Sequence, residues 1–446
     1  MIRIYNTLTR EKQAFKPLKK DSVSLYSCGA TVQGKPHIGH IRAAVTADTV
    51  RRTLKEAGYN VESVYNFTDI DDKLIEKMAE TDSDYRKIAE DNIRLYLSSM
   101  EKMNIEPFTY YPRATGHIQE IIEIIEKLID KGYAYNADGN VYFSVSSDND
   151  YGKLSGKKTE DLIESKRVEM AEGKKHPFDF ALWKKHISGE PYWHSPFGMG
   201  RPGWHVECSA MSMHYLGETF DIHTGGEDLI FPHHENEIAQ SECATGRHFA
   251  RYWIHNGMVN MKGEKMSKSI GNVFEMSGLL KEYRPEILRL YLYKTHYRKT
   301  IEFSSERLNE ARSAYNSISN AMDGQCAESP DSDMVQAMTE ELYDDFNTPR
   351  ALKVIFDAVR SVNAGKNEDV MRKTIAVMTD KIGLPVETEN KLNADAGVYI
   401  DTLIEARNRA RKAGNYDIAD FIRDTLASEN IELRDSGDRT DWKKKD

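Results

Sequence analysis

Val23-Ser24-Leu25-Tyr26-Ser27-Cys28 is a short run of β formers, and Val61-Glu62-Ser63-Val64-Tyr65-Asn66 is a second one. Between them the chain carries a loop with Gly29, Gly34 and Pro36 and then a helical pattern over about residues 37–57, with Gly58 placed to cap its end. Strand, helix and strand in that order form a βαβ unit. This predicts an α/β fold built on a Rossmann-like, doubly wound parallel sheet. Ligands of such sheets sit beyond the carboxyl ends of strands. Cys28 and the run Asn66-Phe67-Thr68-Asp69 both fall at such ends.

On the amino-terminal side, Met1-Ile2-Arg3-Ile4-Tyr5 starts directly as a strand and has no signal-peptide anatomy, so a cytoplasmic protein is expected. On the other side the pattern changes. A helix around 118–131 precedes the alternating Asn140-Val141-Tyr142-Phe143-Ser144-Val145 and a polar, lysine-rich loop. Strand signals return at Phe220-Asp221-Ile222-His223 and Tyr252-Trp253-Ile254-His255. From about 305 onward helical periodicity dominates, as at Leu403, Ala406, Ala410 and Ala413, before a small mixed tail near Ile431-Glu432-Leu433. We therefore divide the chain into three parts. A Rossmann-like domain spans 1–310, with an insertion over about 110–200 and a mobile lysine loop within about 255–310. A helical domain spans 311–400, and a small C-terminal region spans 401–446.

Four hundred and forty-six residues suffice for several domains and a large core. No apolar run approaches the ~20 residues of a membrane helix. A net charge of −10 leaves a nucleic-acid partner open, because a local basic strip can hold one on an acidic protein. Lys16, Lys19 and Lys20, then Arg51, Arg52 and Lys55, then Lys443, Lys444 and Lys445 form such strips; each taken singly reads as a solvated face. Disulfides are not expected in a cytoplasmic chain with four cysteines.

Pro36 suits the first turn of a helix, and His37 and His40 share a face at its N-terminus. Gly39 leaves room for a ligand to approach the backbone. Free N–H groups and the helix dipole favour an anion there, and two imidazoles add donors. Alone, the pair reads as two helix caps. A second stretch shifts the weight: Lys262-Gly263-Glu264-Lys265-Met266-Ser267-Lys268-Ser269-Ile270-Gly271-Asn272. Its lysines, Lys265 and Lys268, can offset charge building on a departing pyrophosphate, although by composition alone it is a surface loop. Together, with a sheet between them, the two stretches read as halves of a site where an ATP α-phosphate is attacked.

Cys28, Cys208, His233 and Glu237 are residue types that zinc prefers. Pro232 suggests a helix start, in which His233 and Glu237, four apart, would share a face; His234 and Glu237, three apart, would too, so spacing does not choose between the histidines. Without a Cys-x-x-Cys pair, the site must be assembled from distant segments. Cys243 and Cys326 read as buried packing thiols. Four protein ligands describe a closed zinc site, so a zinc that binds substrate must expand to five ligands or hold Glu237 weakly. A phosphate cradle beside a soft-metal site points to a substrate that carries a thiol.

Several segments resemble motifs of the cysteinyl-tRNA synthetase family of class I aminoacyl-tRNA synthetases, over essentially the whole chain. They are Tyr5-Asn6-Thr7-Leu8-Thr9-Arg10, residues 28–40, Asn66-Phe67-Thr68-Asp69-Ile70-Asp71-Asp72-Lys73, Gly203-Trp204-His205-Val206-Glu207-Cys208-Ser209-Ala210-Met211, residues 231–237 and the Lys265 loop. The resemblance implies one zinc per chain on Cys28, Cys208, His233 and Glu237, with the substrate thiolate on that zinc and Thr31, Thr68 and Trp204 shaping the pocket. It implies that His37 and His40 contact ATP phosphates, that Lys265 and Lys268 act during activation, and that Gly226, Glu227, Asp228 and Val259 contact the adenylate. Mg²⁺ is expected with ATP. The helical C-terminal part and its tail would hold tRNA-Cys and read its anticodon; residues 405–423, with Ala406, Arg407, Ala419, Asp420, Ile422 and Arg423, resemble the family's pattern there. Ala30 and Gln33-Gly34-Lys35 depart from the commoner Pro and Tyr-Asp, at loop positions.

The implied reaction has two steps: the cysteine carboxylate attacks ATP, and the adenylate then passes its cysteinyl group to the tRNA. A carboxylate is already ionised, so positioning and charge stabilisation suffice and no catalytic triad is expected. Zinc separates cysteine from serine, because a thiol loses its proton on a metal far more readily than an alcohol, and this makes an editing domain unnecessary. Two rivals share parts of this reading. One is a cysteine ligase acting on an amino sugar in mycothiol synthesis, which does not need the chain beyond residue 310. The other is a non-catalytic zinc-containing tRNA-binding relative, which need not keep both histidines and both lysines. With no exposed apolar helix, a monomer is expected.

Overall fold

The computed structural model describes all residues except 82, 158–172, 262–263, 266–273, 387–388, 413–414, 429–430, 437–438 and 445–446, and leaves the side chains of 261, 264–265, 389–399, 428, 436, 439 and 443–444 undescribed. Ala413 and Lys268 therefore lie outside the described residues, and Lys265 is described by its backbone alone.

A four-stranded parallel sheet lies at the centre. Its strands in chain order are β1 (Ser22–Thr31), β2 (Asn60–Thr68), β3 (Phe220–Gly226) and β4 (Ala250–Asn256), set side by side as β4-β3-β1-β2. Most residues of the strands are buried, as expected where both faces of a parallel sheet are covered. Helix α1 (Ile38–Glu56) makes the crossover from β1 to β2, with Ile41, Ala44, Val45 and Leu54 in the core. Gly58 follows its end at φ +90°, a conformation glycine adopts at little cost. The sheet grows away from β1 in both directions, so the carboxyl end of β1 lies at the point where strand order reverses, the usual ligand crevice. At that end β1 presses against β2: a Cβ on Gly29 would lie 1.7 Å from the Asn66 carbonyl oxygen. No larger residue fits beside Cys28. An amino-terminal antiparallel pair, Arg3–Asn6 with Glu11–Ala14, is tied to β4 by a hydrogen bond from the Thr7 N–H to the Trp253 carbonyl.

Between β2 and β3 the chain forms α2 (Tyr85–Lys102), α3 (Ile118–Asp130) and an antiparallel sheet of Ala134–Ala137, Asn140–Phe143, Phe180–Lys185 and Gly200–Pro202. Ile121, Ile125 and Leu128 of α3 pack with Phe143, Leu182 and Trp183 in a second core. Helix α4 (Trp204–Leu216) serves both cores, giving Val206 and Ala210 to the second and Cys208 and Met211 to the main one. Helices α5 (Glu235–Thr245) and α6 (Pro285–Tyr293) follow. Four further helices, Ser305–Ala321, Ser332–Tyr343, Thr348–Asn363 and Glu368–Lys381, join the main core through Leu308, Met338, Ile355 and Met378. The helices Glu389–Lys412 and Tyr416–Ser428 and the hairpin Ile431–Ser436/Arg439–Lys444 form the mixed tail, with a small core of Ile400, Ile404 and Leu426.

Three expectations are corrected. Arg51 and Arg52 are not a solvated strip: Arg51 is 1% exposed, and both approach the fully buried Asp48. Arg289 of α6 pairs with the same carboxylate and donates to the carbonyls of Met103 and Ile382, so one charge cluster locks α1, α6 and the helical part together. Cys243 is half-buried and Cys326 exposed, so neither is a core thiol. And α5 starts at Glu235; Pro232 and His233 lie in a π turn ahead of it, with Phe231 extended.

Candidate active site

A cavity of about 280 Å³ opens at the carboxyl ends of the sheet. Ten residues given a role in the sequence line it: Cys28, Thr31, His37, Gly39, His40, Thr68, Trp204, Gly226, Asp228 and Val259. Gln33 and Lys73 also line it, and sequence reasoning gave neither a role. Cys208, His233 and Glu237 lie buried behind Cys28.

At one end stands the start of α1. His37 is its N-cap, and its Nδ1 accepts the N–H groups of Gly39 and His40. The proton of the neutral ring therefore sits on Nε2. His40 Nδ1 accepts the His37 N–H at 3.3 Å and lies 2.8 Å from the Tyr96 hydroxyl, which must donate. Its proton too sits on Nε2. The rings stack with centroids 3.5 Å apart. His37 does cap the helix, and capping is what makes both Nε2 atoms donors.

The segment leaving the lysine loop closes onto this helix start. Ile38 N–H donates to the Phe274 carbonyl at 3.3 Å, Met276 N–H to the Pro36 carbonyl at 2.9 Å, and Lys35 pairs with Glu275. On the other side of the loop, Lys265 stands on a short strand whose backbone pairs with Asn260, beside the cavity residue Val259. The described flanks of the lysine stretch, 264–265 and 274–276, thus stand beside Val259 and the start of α1.

At the other end are the metal-ligating side chains. One ligand atom each from Cys28, His233, His234 and Glu237 lies within 4.8 Å of the others, and the Cys28 and Cys208 sulfurs are 3.9 Å apart. His233 Nδ1 contacts His205 Nδ1 at 2.9 Å, and its Nε2 lies 3.0 Å from Glu237 Oε1. His234 Nδ1 contacts His255 Nε2 at 2.8 Å, and its Nε2 is 3.9 Å from Glu237 Oε1. Those two Nε2 atoms and Glu237 Oε1 are buried without an aligned hydrogen-bond partner. Glu237 Oε2, by contrast, is taken by His223 at 2.9 Å. One thiol, two imidazoles and one carboxylate oxygen share a common volume, with the Cys208 sulfur beside Cys28, and such donors fit zinc.

Charge in this pocket is tightly coupled. Burial raises the Glu237 pKa, but His223 and His233 outweigh it and hold it at about 2. Burial opposes a charged His233, but Glu237 and Cys208 outweigh it and lift its pKa to about 10. The hydrogen bond that Cys208 donates to Cys28, and then burial, push Cys208 well above an ordinary thiol. The bond from Cys208 lowers Cys28, but burial and the nearby carboxylates leave it raised as well. Both thiols therefore keep their protons until a cation displaces them. Trp204 lies over His233, with centroids 4.4 Å apart and planes at 24°.

Two positioning residues escaped the sequence reading. Tyr96 comes from α2, and no local pattern marks it. Arg42, 2% exposed, donates to the carbonyls of Gly257, Met258, Tyr297 and Lys299. Burial lowers its pKa to about 10 against the pull of Glu227, so it stays a cation at neutral pH. It fixes the 257–259 wall of the cavity, and Glu227 fixes the same wall by accepting the Met258 N–H at 3.0 Å. A charged residue amid Ile41, Ala44 and Val45 on the apolar face of α1 was its available signal.

Fold and cavity together define a class I tRNA synthetase. A family model described as the catalytic domain of class I (C) tRNA synthetases matches residues 14–313, and one described as the DALR domain matches residues 337–383. A solved Mycobacterium tuberculosis methionyl-tRNA synthetase in complex with methionyl-adenylate shares the fold, with a TM-score of 0.60 at 16% identity over 81% of this chain and 89% of that one. Cysteine–tRNA ligases match throughout: that of Geobacter sulfurreducens is 46% identical over 100% of both chains, and that of Thermococcus onnurineus 44% identical over 99% of both. The chain belongs to the cysteine–tRNA ligase family.

Proposed function

We propose that this chain activates L-cysteine with ATP and transfers it to the 3′ end of tRNA-Cys. The observation that carries the reading is that Cys28, from the metal-ligating cluster, and the His37–His40 pair line one cavity. The substrate carboxylate oxygen bonds the ATP α-phosphorus as the bond to the β-phosphate bridging oxygen breaks, and pyrophosphate leaves with the electron pair. The two Nε2–H donors stabilise the phosphate oxygens, and Lys265 and Lys268 offset charge on the leaving group, with Mg²⁺ accompanying ATP. Gly226, Asp228 and Val259, the last on the wall fixed by Arg42, hold the adenylate. A ribose hydroxyl of tRNA then attacks the carbonyl, and AMP departs.

Cys28, Cys208, His233 and Glu237 would hold zinc, which supplies a soft Lewis acid suited to a substrate thiolate and unsuited to serine's alcohol. His233 is preferred to His234 because its Nε2 lies nearer Glu237, 3.0 Å against 3.9 Å. Glu237 offers one oxygen only, which leaves room for the substrate sulfur. Trp204, Thr31 and Thr68 shape the pocket around it. Residues 1–310 carry the chemistry, while 311–400 and 401–446 hold the tRNA. We read the protein as a cytoplasmic monomer.

Aminoacylation of tRNA-Cys with labelled cysteine, run beside ligation to an amino sugar, tests the reading. Label on tRNA alone is expected; label on the sugar alone overturns it. Tyr96→Phe probes the phosphate end. With the hydroxyl gone, only the longer bond from the His37 N–H holds the His40 tautomer and ring. Cysteine-dependent ATP–pyrophosphate exchange is expected to fall about tenfold in kcat, with a smaller change in KM for ATP.

A further inference from the structure

Helices α3 and α4 meet at a second group of metal-ligating side chains, none of which lines the cavity. His117 at the start of α3, Glu120 in its first turn and His214 in the last turn of α4 each present one ligand atom within 4.8 Å of the others. His214 Nδ1 is 3.1 Å from Glu120 Oε1, and the His117 and His214 ring centroids are 5.2 Å apart. His117 is buried, and its Nδ1 lies 2.9 Å from the carbonyl oxygen of Arg113. A carbonyl only accepts, so Nδ1 carries the proton and Nε2 keeps its lone pair. An imidazole fixed through one nitrogen by a carbonyl, with the other left as a base, is the arrangement of a metal-ligating histidine.

We propose that His117, Glu120 and His214 form a second cation site, selective for zinc-class divalent metals. Two imidazoles and a carboxylate favour such metals over Mg²⁺ or Ca²⁺, and three protein ligands leave one position for water. Tetrahedral ligands at zinc distances stand about 3.4 Å apart, so the group must tighten by about 1 Å. Glu120 and His214, whose side chains are 30% and 46% exposed, have the solvent room to do so. Occupancy would staple α3 to α4, the helix that begins with Trp204 and carries Cys208. The site contains no sulfur and does not depend on the function proposed above.

Equilibrium dialysis of the untagged full chain against Zn²⁺, with metal per chain measured afterwards, tests this. Wild type is expected to bind two equivalents. His214→Ala and Glu120→Gln, changes at exposed side chains that spare the packing, are expected to bind one. Cys208→Ser should keep the second equivalent, and Cys208→Ser combined with His214→Ala should bind none. In wild type the second equivalent should slow amide exchange in α3 and α4. Saturation of wild type at one equivalent, or two equivalents retained by both His214→Ala and Glu120→Gln, overturns the proposal. A Cys208→Ser chain that keeps both equivalents counts instead against the first site.

Discussion

Cys208→Ser is expected to lose its zinc and its cysteine-dependent ATP–pyrophosphate exchange together. Cys208 is 1% exposed and lies 3.9 Å from Cys28 across the cluster. A serine hydroxyl fills nearly the same space, so the sheet and α4 are left in place. The hydroxyl is a harder donor and resists ionisation, so the cation loses one of its two thiolates. Exchange should drop by about 10³-fold or more, about 4 kcal/mol of transition-state stabilisation, while ATP binding changes little because His37 and His40 are untouched. Metal analysis and exchange on the same sample make the check. Exchange that persists in chelator-stripped wild type counts against a metal-bound thiolate.

Asp48→Ala carries the largest expected loss of stability. The carboxylate is fully buried and takes Arg52 at 2.8 Å, the Glu106 N–H at 2.9 Å, Arg289 and, at 3.5 Å, Arg51. Alanine leaves the buried guanidiniums of Arg51 and Arg289 and the half-buried one of Arg52 without their shared partner, and breaking one partner of such a cluster costs about 3–5 kcal/mol. The midpoint of urea unfolding reports it. Burial raises the Asp48 pKa, but Arg289, Arg52 and Arg51 outweigh it and hold the group below its ordinary 3.8. A depressed pKa stabilises the fold fully above the unfolded value and is lost as pH falls through the folded one. The gap between wild type and variant should therefore hold from neutrality to about pH 5 and narrow below that. A gap that widens in acid contradicts the assignment.

The β1-α1-β2 unit was readable because its strands are β-rich, its helix has a 3.6 period and glycine marks its end, all local signals. The meeting of Cys28 with Cys208 was not local. It depends on β3 pairing with β1 and on α4 spanning two cores, which spacing does not encode. Spacing also left His233 and His234 equivalent. They differ in their partners, His205 and His255, and in their distance to Glu237, all supplied by tertiary packing. Arg51 and Arg52 read as a solvated strip because three basic residues stand together, yet Asp48, three and four residues earlier on the same helix, was the available sign of a buried pair. Pro232 marked a real break in the chain but placed the helix start too early, because a π turn intervenes.

The stacking of Trp204 on His233 has an optical consequence. A protonated imidazole in contact with an excited indole quenches its emission by accepting an electron, and a ring that ligates a cation has surrendered that proton. Trp204, 39% exposed at the cavity mouth, should therefore glow more brightly in the metal-loaded chain and dim on chelation. The protein would report its own loading in dilute solution, with no dye attached.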